Sequence, residues 1–137
     1  MAIKLTDHEA LIYVMVTMSA VDQSMDEKEL LRIGDQVKIL PVFRDFNPDD
    51  LVRVATHCGD LLQEENGLDE VLGAIAEALP LHLYDTAYAL AVEVAAADMH
   101  IEQEELRFLQ LLRDRLDLDK LSIAAIEFGA KVRHRLP

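Results

Sequence analysis

Six carboxylates, in two groups of identical spacing, are the residues of this sequence best placed to do chemistry. Asp22, Asp26 and Glu29 form the first group, and Asp98, Glu102 and Glu105 the second. Sliding the chain along itself by 76 residues lays one group on the other. The apolar positions agree in the same register, with Val16 over Val92, Met25 over Ile101, Leu30 over Leu106 and Ile33 over Leu109. Each copy therefore reads as an apolar helix, a tight loop and an acid-led amphipathic helix.

Two chemistries suit such acids. Asp26 and Glu29, like Glu102 and Glu105, are three residues apart at a helix start, where the dipole welcomes negative charge and no ligand is required. Asp22 and Asp98 fall at the end of the preceding helix, where a carboxylate is disfavoured by about 0.3–1 kcal/mol unless something compensates it. One compensation is to cap the next helix by accepting backbone N–H bonds. The other is for all three acids of a copy to converge on a hard divalent cation, six oxygen-bearing side chains being available if the copies face each other. Both alternatives stand at the level of sequence.

Other constellations are weaker. Asp22-x-Ser24-x-Asp26 begins like an EF-hand loop, but that loop needs glycine at its sixth position and glutamate at its twelfth. The chain has Glu27 and Ile33 there, and Gln103 and Leu109 in the second copy, so an EF-hand is excluded. His57 and Cys58 are adjacent and point about 100° apart on a helix, with no second cysteine to complete a zinc site. Cys58 reads as a core residue, His100 as a solvated loop histidine, and Glu93 as an edge residue rather than a paired buried acid. With no glycine-rich phosphate loop, no nucleophile beside a base and no Glu-x-x-His pair for a di-iron centre, the chain does not read as an enzyme.

The elements that must position the acids are helical throughout. Five glycines and four prolines punctuate 137 residues, and apolar spacings of three and four recur in place of strict alternation. Thr6-x-x-Glu9 predicts a capping box opening a first helix that runs to about Val21 and is apolar nearly all round, as a central helix would be. Ser24-x-x-Glu27 predicts a second box and a helix through Leu30, Leu31, Ile33 and Val37, ending before Pro41. Asn47-Pro48 restarts a helix through Leu62, and Gly67 separates it from another over about Leu68 to Leu79. Three more are predicted, from His82 to Ala97, Glu102 to Arg115 and Asp119 to Arg133. The expected fold is all-α, a compact bundle of about seven helices with an internal pseudo-two-fold duplication, forming one domain over residues 1–137.

Charge and composition narrow the function classes. A chain that is 51% hydrophobic has ample core material, and at this length should bury about two-thirds of its unfolded surface. Its 26 acidic against 13 basic residues leave a formal charge of −13, which opposes direct binding of a nucleic-acid backbone and favours cations or basic protein surfaces. The cations are partly gathered in the tail Lys131, Arg133, His134 and Arg135, where they complement a helix dipole. A single cysteine cannot form an internal disulfide, so a reducing compartment is compatible and the cytoplasm is the expected location. Residues Met1 to Asp7 hold no apolar signal core and charge interrupts every apolar run, so neither secretion nor membrane insertion is expected.

The repeated pattern Ala20-x-Asp22-x-x-x-Asp26-x-x-Glu29-Leu30 and Ala96-x-Asp98-x-x-x-Glu102-x-x-Glu105-Leu106 resembles the TerB-like, tellurite-resistance family, over about Thr6 to Leu116. The resemblance implies an all-helical fold that brings the two motifs together, and an association with tellurite resistance, stress response and metal sensing. It also implies a metal-binding surface made of Asp22, Asp26, Glu29, Asp98, Glu102 and Glu105, with calcium, magnesium, manganese or zinc as the candidate cation. The alternative is a metal-free adaptor whose acidic face docks a basic protein partner. Oligomeric state is not readable from one sequence.

Overall fold

Helix α1 (Asp7–Ala20) opens on the predicted capping box, in which Thr6 Oγ1 accepts from the Glu9 amide and Glu9 Oε1 accepts from the Thr6 amide. Every residue from Ala10 to Ser19 is buried, because a helix that is apolar all round can only lie at the centre of its bundle. The computed structural model describes residues 3–21, 25–97 and 102–137.

Around α1 pack α2 (Glu27–Ile39), α3 (Leu51–Leu62), α4 (Gly67–Ala78), α5 (Tyr84–Ala97) and α6 (Gln103–Leu116), while α7 (Lys120–Arg133) lies on α5. The described residues thus form seven α-helices, as the periodicity predicts, joined by short 3-10 turns at Pro41–Phe43, Pro48–Asp50 and Leu81–Leu83. No described residue is in a strand. None of the helices is long and apolar enough to cross a membrane.

Two element starts differ from expectation. The N-cap of α2 is Asp26, not Ser24, and the glutamate of its capping box is Glu29, not Glu27. Ser24 itself lies outside the described residues. Helix α5 starts at Tyr84 rather than His82, because the residues after Pro80 first make the tighter 3-10 turn. The offset of 76 residues carries α1 and α2, starting at Asp7 and Glu27, to within one residue of the starts of α5 and α6 at Tyr84 and Gln103.

Helix α7 is the least buried of the seven, with only Ala130 fully enclosed, and polar clasps hold it. Tyr88 on α5 donates to Glu127 Oε2 on α7, and Arg113 on α6 donates to that same oxygen at 3.0 Å and to the tyrosine oxygen at 3.3 Å. Burial first, and then the Glu127 carboxylate, raise the Tyr88 phenol, so it stays protonated and donates.

The second clasp corrects the sequence reading of Glu93. This residue is no bare edge acid: it is three-quarters buried and accepts from both Arg133 and, at 2.8 Å, His134. The tail cations therefore do more than complement a dipole. Burial raises the Glu93 carboxyl, but its bonds to Arg133 and His134 outweigh burial and hold it below the usual glutamate value. A depressed folded value means the clasp's stability is complete above the unfolded value of about 4.3 and is lost as pH falls through the folded one. Because Arg133 is more than half exposed, the expected contribution is about 1 kcal/mol or less. Acid titration of the unfolding midpoint should show wild type above Glu93→Gln near neutrality and the two curves merging below about pH 4. A constant gap would show that charge at Glu93 is irrelevant.

Candidate cation site at two helix starts

The starts of α2 and α6 are built alike. Asp26, in extended backbone, accepts the Glu29 amide at 2.9 Å through Oδ1, and Glu29 Oε1 accepts the Asp26 amide at 3.5 Å. At the start of α6, Glu102 is the extended N-cap and Glu105 Oε1 accepts its amide at 3.0 Å. All four acids thus occupy the N-cap and third helical positions of capping boxes, which satisfy amide donors that a helix start would otherwise leave unpaired. The expectation that Asp26 and Glu102 lie inside the first turn shifts by one residue, since each is the cap itself.

Packing then distinguishes the copies. Asp26 is exposed and Glu29 half-buried, whereas Glu105 is only 5% exposed. Glu29 and Glu105 nevertheless line one cleft of about 250 Å³, walled by α1, α2 and α5. Ser19 of α1 and Glu93 of α5 also line it, with Arg32 and His134 beside them. So the fold brings the third acid of each motif to a common space, across 76 residues of sequence.

Ser19 is the feature that sequence reasoning missed. It is 6% exposed, and among the described residues its Oγ has no hydrogen-bond partner. A buried hydroxyl left unsatisfied costs about 1–3 kcal/mol, so such atoms are rare. Ser19 and Thr17 are the two polar residues in the buried run of α1, and Ser19 is the one at the cleft.

Asp22, Asp98 and His100 lie outside the described residues. Their place in the chain is still informative, since Asp98 directly follows Ala97, which lines the cleft, and Asp22 is three residues beyond Ser19. Among the described residues, no three of His, Cys, Asp and Glu gather closely enough to hold an ion. The described acids supply oxygens from two helix starts but do not by themselves complete a coordination shell.

The remaining cysteine takes no part. Cys58 is fully buried, with Sγ 3.5 Å from Thr17 Oγ1, and burial pushes its thiol up to about 12, so it is the inert core residue expected. Its neighbour His57 is exposed on the other side of α3.

Comparison with known families matches residues 8–127 to the model of tellurite resistance protein TerB. Searches among curated proteins and among solved structures found no significant match.

Proposed function

This chain belongs to the tellurite resistance protein TerB family, and from that premise we propose that it is a non-catalytic, tellurite-resistance-associated module whose two acidic helix starts together bind one divalent cation. The observation that carries the proposal is the shared cleft: Glu29 and Glu105 reach it from different helices, beside the partnerless hydroxyl of Ser19.

Capping and ligation are compatible roles. A carboxylate has two oxygens and about four lone-pair sites, so one bond to a backbone amide orients the group and leaves it able to accept elsewhere. The capping boxes would then act as the supports that fix ligands in place. A cation would also compensate Asp22 and Asp98, which the sequence places where a helix end disfavours a carboxylate. With Asp26, Glu29, Glu102 and Glu105 they form a set of oxygen donors only, which suits calcium, magnesium or manganese better than zinc. Since the described acids do not complete a shell alone, Asp22 and Asp98 are the residues on which binding depends.

Thermal unfolding of chelator-stripped protein, with and without each of the four cations, tests this. An ion at a hundred times its dissociation constant adds about 2.7 kcal/mol, a rise of several degrees in the midpoint. Asp22→Ala and Asp98→Ala should abolish that rise while leaving the ion-free protein at least as stable, because a carboxylate at a helix end is then removed. If no cation moves the midpoint, the acids are caps alone, and the metal-free adaptor that docks a basic partner on its acidic surface becomes the better account.

A further inference from the structure

A second groove of about 710 Å³ runs between α5, α6 and α7, at the edge of the core. Its apolar lining includes Val92, Ala96, Leu106, Leu109 and Ala130. Leu106 is 53% exposed, although it opens the apolar face of an amphipathic helix. The apolar surface continues round α7, where Leu121, Phe128 and Val132 are 81%, 60% and 43% exposed at spacings of seven and four residues. No other element of the described chain covers these three side chains.

The charge at the groove is opposite to that of the molecule. The chain carries twice as many acids as bases, yet Arg113, Lys131, His134 and Arg135 line the groove against a single acid, Glu127. Arg113 is matched to Glu127, and His134 to Glu93. Lys131 and Arg135 form no ion pair among the described residues, so two exposed cations border apolar floor with nothing opposite them.

We propose that this groove docks an acidic, amphipathic helical segment of a partner protein. Its apolar face would lie on Leu106 and Leu109 in the helix-in-groove manner, and its flanking carboxylates would meet Lys131 and Arg135. Most of the affinity comes from the apolar contact, and the two cations set orientation and selectivity for acid. An anionic membrane or nucleic acid fits less well, because a formal charge of −13 repels an extended negative surface while a short segment meets only the local positive one. A second copy of the chain, whose α2 exposes Leu31 and Ile39 beside Glu27 and Asp35, would betray itself by a dependence on protein concentration. The inference does not rest on the cation site, whose cleft adjoins this groove at His134 but is lined by other acids.

The test is a two-dimensional NMR titration of the full chain with a short peptide carrying leucines at helical spacing and glutamates on the flanks. Its counterpart with lysine in place of each glutamate serves as control. The glutamate peptide should shift the amide signals of Leu106, Leu109 and Ala130, and the lysine peptide should not. Lys131→Glu combined with Arg135→Glu should weaken binding about tenfold, as should Leu106→Ala, and all three positions are exposed enough for the fold to survive. Absent groove shifts, equal shifts with both peptides, or binding indifferent to these substitutions would overturn the proposal. So would groove shifts that appear with phosphatidylserine-containing vesicles instead of the peptide, or on raising the protein concentration alone.

Discussion

Replacing Phe108 by alanine should remove about 3–5 kcal/mol of folding stability. Phe108 is fully buried on α6, in the core against which the central α1 packs, together with Leu112 and Leu116 from the same face. Truncation deletes the aromatic transfer energy and leaves a cavity that rigid neighbouring helices cannot close. A domain of this size has about 5–15 kcal/mol in total, so the midpoint should fall by roughly 10–20 °C. Urea unfolding should show the same loss with an unchanged slope, as expected when stability and not compactness has altered. A loss under about 1 kcal/mol would mean that α6 is not anchored as described.

Gly67→Ala is the second large effect, and its cause is the backbone. Asn66 takes a left-handed conformation between α3 and α4, and the chain then turns so tightly that a Cβ on Gly67 would stand 2.0 Å from the Leu61 carbonyl oxygen and 3.0 Å from Leu62 Cα. A flexible side chain could yield, but these are main-chain atoms of the preceding helix, so α3 and α4 must separate. The expected cost is at the upper end of overpacking penalties, about 3 kcal/mol. The contrasting control is Gly59→Ala, where a Cβ meets nothing within 4 Å and helix propensity favours alanine by about 1 kcal/mol. Denaturant melts of the two variants should move in opposite directions. If Gly67→Ala matches wild type, the helix junction is looser than the structure shows.

Helix existence was legible because its signals are local. Thr6 with Glu9 and Asn47 before Pro48 each cap where the sequence places them, since the donors they satisfy are two or three residues away. The continuous apolar run of α1 likewise allowed only a central position. At α2 the same rule failed, because Ser24-x-x-Glu27 and Asp26-x-x-Glu29 both satisfy the capping-box pattern. The choice between them depends on the path by which the chain leaves α1, which no local pattern encodes.

The candidate site was legible only in part. Repeated acid spacing pointed to Glu29 and Glu105, and the fold places both on one cleft. That Glu105 is buried while Glu29 is half-exposed depends on which neighbours cover each helix start. Glu93 was misread because its partners, Arg133 and His134, stand about forty residues away in sequence. The orphaned Ser19 hydroxyl is invisible to any sequence pattern, because a helical serine ordinarily satisfies itself on its own preceding turn.

The most direct test of the cation site is paramagnetic broadening of the amide signals of chelator-stripped protein by substoichiometric manganese. The account predicts that broadening starts at Ser19, Glu29, Ala97 and Glu105 together, reaches the start of α1 at Asp7 last, about 18 Å along the helix from Ser19, and disappears in Asp98→Ala. Broadening spread over all exposed acids, or centred away from that cleft, would contradict it.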